Sequence, residues 1–276
     1  MSAPIAAEPI FHIGAFAITN AYINSTIAVL ILIAIAYFIK RSIKDVPGRF
    51  QSAIESIFEA LLGYFDQVTN DRAKSKRFLP FVGTVFIFIL LSNWMGLLPG
   101  TGSIGVWEIV HGQRELIPLL RPANSDLNLT LAMALVSVIT SNILGIFTLG
   151  FFVHANKFIQ LGTFWKALKT MNVMKILTAT IELGVGVIEI ISEIAKVVSL
   201  SLRLFGNIFA GEILITVIAS LAAFFVPLPF MALELIVGMV QATVFALLTL
   251  VYLTVATAAP HGDEEHEKVE AVAAAH

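Results

Sequence analysis

Six charged residues crowd into one long apolar stretch of this 276-residue sequence: Glu182, Glu189, Glu193, Lys196, Arg203 and Glu212. A second apolar stretch carries Glu234 and Gln241. The spacing orders them. Glu182, Glu189, Lys196 and Arg203 are seven apart, which on an ideal helix is about 20° short of two turns. Ser192, Glu193, Ser199 and Asn207 fall near the same face, so one stripe is polar over many turns. Glu212 lies nine residues beyond Arg203, roughly half a revolution around the axis from it. Glu234 and Gln241 are seven apart and share a face. Carboxylates in such a series can relay protons, because two acids near each other raise at least one pKa toward neutrality. Glu193 and Lys196 stand at i,i+3 and can pair within the helix. Arg203 cannot do the same, since its i±3 and i±4 neighbours are Leu200, Ser199, Gly206 and Asn207. A guanidinium does not shed its proton, so Arg203 requires an acid from another helix or another chain. Gly206, Ala210 and Gly211 are small enough to let a second helix approach closely.

The elements that must carry these residues are membrane helices. Apolar residues make up 58% of the chain and charged ones only 13%, against about a quarter charged in a soluble domain. Mean hydropathy is +0.89. That composition excludes a soluble enzyme. There is no cysteine, which excludes disulfide and thiolate chemistry. The first 20 residues hold no Lys or Arg, so no signal peptide is expected. The net charge of −2 says less than its distribution. Eight Lys and Arg lie between residues 40 and 77 and four between 157 and 175, twelve in all against two, Arg114 and Arg121, in residues 100–126. By the positive-inside rule the twelve are cytoplasmic and the N-terminus is outside.

A single membrane domain is expected over residues 1–276. An outer N-terminal segment (1–21) precedes a first span (22–40). Residues 47–70 have a helical apolar period and a polar opposite face, which predicts an amphipathic helix on the cytoplasmic surface. A second span (78–99), an outer loop (100–126) and a third span (127–154) follow. Phe158, Leu161, Phe164 and Trp165 among lysines suggest another surface helix. Residues 173–226 contain no proline. They are either two spans with a turn near Gly184–Gly186 or one long tilted helix. Pro227 and Pro229 precede the last span (230–258), and an acidic tail (259–276) ends the chain. His261 and His266 belong to that tail and read as solvated, so no metal and no cofactor are expected. The sequence has no G-x-x-x-x-G-K-[ST] match, so direct nucleotide binding is not expected, nor is a nucleic-acid partner. A rival reading, an ion-coupled secondary transporter, predicts internal repeats and broken helices. No repeat stands out.

Ser199-Leu-Ser-Leu-Arg203-Leu-Phe-Gly-Asn207-Ile-Phe-Ala-Gly-Glu212 closely resembles the Arg-bearing helix of subunit a of F-type ATP synthases of the bacterial type. Val46-Pro-Gly-Arg-Phe-Gln51, Asn93-Trp-Met-Gly-Leu-Leu-Pro99, Pro122-Ala-Asn-Ser-Asp126-Leu-Asn128 and the stretch from Gln241 to Leu253 also look like that family, in order, over roughly residues 12–258. The resemblance implies an all-α polytopic fold with five membrane-embedded helices and an amphipathic surface helix, the last two embedded helices forming a long tilted hairpin. It implies a stator subunit in a bacterial inner (plasma) membrane, C-terminus cytoplasmic. Such a subunit is no enzyme by itself; it is a proton-translocating part of the multisubunit ATP synthase. Its implied partners are the c-subunit ring, peripheral-stalk b-type subunits, protons and the lipid bilayer. Arg203 matches the arginine that faces the ring carboxylate. Glu212 and Glu234 match the acidic pair of an outer half-channel, the latter at a position where His also occurs in the family. Asn207 and Gln241 match polar groups beside the arginine, and Asp126 an acid near the outer entrance. Glu189, Glu193, Ser192 and Ser199 fit an inner half-channel.

Overall fold

The computed structural model describes residues 9–13, 16–98, 105–110, 113–118, 121–151, 153–154, 173–222 and 225–258. Six helices carry it: α1 (Asn20–Ser42), α2 (Arg49–Thr69), α3 (Arg72–Met95), α4 (Leu127–Leu149), α5 (Val173–Leu221) and α6 (Pro227–Ala256). All except α2 are long and apolar enough to cross a membrane, so the chain is an all-α polytopic membrane protein. Two antiparallel hairpins precede helices: β1 (Pro9–Ile13) with β2 (Phe16–Thr19), and β3 (Gly105–Val110) with β4 (Gln113–Pro118). The chain divides into two compact units, one of residues 1–136 and 197–250, the other of residues 137–196 and 251–276.

In the first unit, α1 starts where the Thr19 hydroxyl accepts from the Tyr22 N–H at 3.3 Å and ends with Lys40 and Arg41 against the negative end of its dipole. Only one end of α1 is buried within the chain, at Asn20, Ala21, Asn24, Ser25 and Ala28. Leu30, Ile33, Tyr37 and Phe38 stay exposed, as a span facing lipid or another subunit must. The amphipathic α2 ends at Asn70, whose left-handed backbone (φ 52°) lets its N–H bond to the Asp66 carbonyl. Asp71 immediately caps the next helix by accepting from the Ala73 and Lys74 N–H groups at 2.8 and 3.4 Å. This cap starts α3 at Arg72, six residues before the span bound at 78, so the basic cluster Arg72, Lys74, Lys76 and Arg77 lies on the helix. Arg72 crosses the elbow to Asp66 at 2.5 Å and also pairs with Glu59. The Thr69 and Ser75 hydroxyls meet at 2.7 Å.

Beyond α3, the outer loop expected over 100–126 contains a hairpin. Strands β3 and β4 pair from Gly105↔Pro118 to Val110↔Gln113. A 3-10 turn at Ala123–Ser125 follows and packs on α1 and α3. Pro122 lies against Gly96, where any Cβ would collide with the proline ring. In this unit the apolar face of α5 is buried at Leu200, Leu204 and Ile208, four residues apart, and α6 buries Ala242, Phe245, Ala246 and Leu250.

Helix α5 runs unbroken for 49 residues, about 74 Å at helical rise. The alternative of two spans with a turn at Gly184–Gly186 is therefore set aside. Helix α6 begins at Pro227 and not at 230, because proline in the first turn lacks only an N–H that has no helical acceptor. In the second unit, α4 ends at Leu149 and Gly150 follows with φ +88°. The surface helix expected around Phe158–Trp165 and the acidic tail lie outside the described residues, as does the side chain of Glu182.

Candidate functional site

The polar residues of the first unit gather along α5 and α6. Arg203 is exposed, on the side of α5 away from buried Leu200 and Leu204. Its Nη2 donates to the Ser199 hydroxyl at 3.4 Å, and no acid pairs with it among the described residues. One turn on, Asn207 Nδ2 donates to Gln241 Oε1 at 2.6 Å. Gln241 is buried, and its Nε2 has no hydrogen-bond partner among the described residues. Pairs 207–241 and 211–234 run in opposite directions along the two helices, so this stretch of α5 and α6 is antiparallel.

No hydrogen bond joins Glu212 to Glu234 among the described residues. Glu212 instead takes a buried arginine: Arg121 Nε donates to both carboxylate oxygens, at 2.8 and 3.1 Å. Arg121 is only 3% exposed, its carbonyl accepts from Asn24 Nδ2 at 2.7 Å, and its guanidinium lies 6.0 Å from the Phe209 ring centroid. The carboxylate of Glu234 lies against Gly211, where any Cβ would strike it. Its Oε1 is buried with no hydrogen-bond partner among the described residues. Gly211 is thus the small residue that admits a second helix. Gly206 has nothing within 4 Å and faces outward.

The α6 backbone around Glu234 is fastened to α3. Trp94 Nε1 donates to the Leu235 carbonyl at 3.1 Å and Asn93 Nδ2 to the Gly238 carbonyl at 3.0 Å. Asn124 Nδ2 in turn donates to Asn93 Oδ1 at 2.8 Å. Asp126 is buried, and its carboxylate accepts from the Asn128 N–H at 3.0 Å at the start of α4.

The second unit holds its own polar cluster. Lys196 Nζ reaches Glu193 Oε1 at 2.5 Å, the i,i+3 pair expected from the spacing, and sits 5.5 Å from the Tyr252 ring centroid. Asn142 Nδ2 donates to Glu193 Oε2 at 3.0 Å, and Asn142 Oδ1 faces His154 Nε2 at 3.1 Å. Glu189 and Ser192 are half-buried. Ser199 belongs to the first unit, beside Arg203.

Sequence reasoning missed Arg121, which it counted only as a loop charge, and Asn142 and His154. Arg121 stands directly before the Pro122–Asp126 motif, and that adjacency was the available signal. Asn93 and Asn124 entered the sequence reading only as letters of family-like motifs, and Trp94 as a residue suited to the membrane interface.

A family profile described as "ATP synthase A chain" matches residues 22–254. An "ATP synthase subunit a" of Mycobacterium ulcerans is 33% identical over 241 residues, covering 86% of each chain. One from Moorella thermoacetica is 31% identical over 244 residues, 88% of this chain and 93% of the relative. One from Campylobacter concisus is 30% identical over 238 residues, 86% and 88% respectively.

Proposed function

The chain belongs to the ATP synthase A chain family, and from that premise we propose that it forms two proton half-channels against a ring of c subunits and couples proton flow to ring rotation. Its standing as a membrane-sector subunit of an ATP synthase follows from the family itself. The half-channels, the ring and b-type stalk contacts, the bacterial inner membrane and the outside N-terminus are the finer reading. One observation carries it. Arg203 is an exposed cation on a membrane-length helix, and the described residues of its own chain offer it no acid. Such a charge is costly against lipid, so its acid belongs to another chain. A ring carboxylate is the matching group. Exposed Gly206 and Ala210 follow on α5 and let a partner helix come close.

The outer acids divide their work. Arg121 occupies both carboxylate oxygens of Glu212, whereas the unpartnered oxygen of Glu234 suits a carboxyl that gains and loses a proton. A proton from outside reaches Glu234, passes the Asn207–Gln241 bond and neutralises a ring carboxylate, which then enters lipid at little cost. Arg203 attracts the next deprotonated carboxylate and repels a proton that would cross directly. The Glu189–Glu193 side of α5, with Ser192 and Ser199, serves release to the inside. Each proton falling through about 100 mV yields about 2.3 kcal/mol, and that energy drives ATP synthesis elsewhere in the complex.

Arg203→Ala in inverted vesicles, with assembly confirmed, tests the reading. ATP-driven pumping is expected to vanish while passive proton leak stays level or rises. Pumping at the normal rate would return the polar stripe to a structural role.

A further inference from the structure

The bend between α1 and α2 holds a cavity of about 200 Å³ that the mechanism above does not use. Two apolar ridges wall it. Ile39 and Ile43 stand four apart at the end of α1, and Phe50, Ile54 and Phe58 stand four apart along the start of α2, so each set lies on one face. The ridges are tied together at the bend. The Lys44 N–H donates to Gln51 Oε1 at 3.0 Å, and Gln51 Nε2 donates back to the Lys44 carbonyl at 3.2 Å. Phe50 and Phe58 are both exposed, so the apolar wall continues onto the outside of α2.

An apolar wall alone does not choose an occupant; place, charge and size do. The place is a membrane surface, because α1 is membrane-length and ends here, and α2 is amphipathic. The charge is positive. Lys40, Arg41, Lys44 and Arg49 are exposed around the bend, against Asp45 and the groove-lining Glu55, an excess of two positive charges. Gly48 gives α2 no side-chain cap and the first turn carries no acid, so the positive end of the helix dipole has the same sign. The size suits a chain and not a helix. A helix is about 10 Å across, and this volume would take in only about 2–3 Å of its length. A partner helix would lie over the groove and leave it empty, whereas a lipid acyl chain is one methylene wide and enters it.

We propose that this groove binds an anionic phospholipid: one acyl chain lies between the α1 and α2 ridges, and the phosphate headgroup is held at the bend by Lys44 and Arg49, with Lys40 and Arg41 adding to the field. The acyl chain covers apolar surface that the protein leaves open where its surface helix joins its first span. The inference needs only that α1 ends at a membrane surface, and it stands or falls separately from the half-channels.

The test uses the assembled complex in phosphatidylcholine vesicles that carry a small fraction of either phosphatidylglycerol or phosphatidylcholine, each with the same photoactivatable diazirine on one acyl chain. After illumination, lipid adducts on residues 39–58 of this chain are quantified by peptide mass spectrometry. Phosphatidylglycerol is expected to label this stretch at least about fivefold above phosphatidylcholine, the worth of one net basic side chain at an anionic surface. Lys44→Gln combined with Arg49→Gln cancels the charge excess and should abolish the preference. Ile54→Trp fills the groove, and labelling by both lipids should fall. Equal labelling by the two lipids in the wild type overturns the proposal, as does a preference that survives the double substitution. Labelling by neither lipid overturns it too, and shows another subunit or a second copy covering the groove. Unreduced labelling in Ile54→Trp places the acyl chain outside the groove and overturns it likewise. If Ile54→Trp does not assemble, the double substitution, at two exposed positions, decides alone.

Discussion

Replacing Arg121 by Met tests whether the division of labour between the two outer acids is real. Arg121 makes two charge-assisted bonds to Glu212 from a side chain 4% exposed, and the Glu212 side chain is 18% exposed. Removing one partner of such a pair strands the other in a desolvated place, at a cost of about 3–5 kcal/mol. Methionine fills much of the lost volume, so most of the cost is electrostatic. Glu212→Gln added to Arg121→Met removes the stranded charge, and the double variant should be more stable than Arg121→Met alone. The cycle then shows a coupling of about 2 kcal/mol or more between the sites. Thermal inactivation of the assembled complex in membranes reads it out. Arg121→Met is expected to inactivate up to about a few thousandfold faster at a fixed temperature, at about 1.4 kcal/mol per tenfold. Proton pumping measured alongside should survive better in Glu212→Gln than in Glu234→Gln, because only Glu234 is assigned the moving proton. Additive effects in the cycle, with coupling below about 0.5 kcal/mol, would refute the ion-pair argument. Equal pumping loss in the two glutamine variants would refute the division of labour.

Gly211→Ala drives a methyl group into the Glu234 carboxylate; overpacking of this kind costs about 1–3 kcal/mol, and pumping should fall while Gly206→Ala, which meets nothing within 4 Å among the described residues, still yields normal amounts of the chain in membranes. Asn93→Leu removes the bonds to the Gly238 carbonyl and from Asn124 in a buried position. Each buried group left unsatisfied costs about 1–3 kcal/mol, so lower recovery of the chain in membranes is expected, and recovery equal to wild type would show the fastening of α3 to α6 to be dispensable.

What the sequence makes legible is what repeats at the helical period. The Glu193–Lys196 pair lies within one helix, where spacing alone places partners. Arg203 is legible by elimination, because its helical neighbours are all unable to pair with it. The continuity of α5 follows from the absence of proline over 173–226 together with the family resemblance. Arg121 was not legible in this way. Its partner is 91 residues away, and the segment that brings them together has no periodicity. Asn142 is one polar residue in an apolar span, and its bonds to Glu193 and His154 depend on how three separate segments meet. The helix that carries the second span starts at Arg72, ahead of the span bound at 78, because Asp71 caps it and two acids meet Arg72. The β3–β4 hairpin lies inside the segment read only as an outer loop, 100–126.

The elbow between α2 and α3 has a mechanical consequence. In the stator role proposed above, the subunit would carry a sideways load without yielding. The usual yielding point in a chain is a glycine-rich joint, and residues 69–72 contain no glycine. The bend is made by Asn70 in its left-handed conformation, locked to the Asp66 carbonyl. On either side it is cross-braced by the Thr69–Ser75 hydroxyls and by the reach of Arg72 to Asp66 and Glu59. Changing the angle between the two helices means breaking several of these bonds together. The joint therefore acts as a stiff bracket, passing force from the surface helix to the membrane helix with little loss to bending.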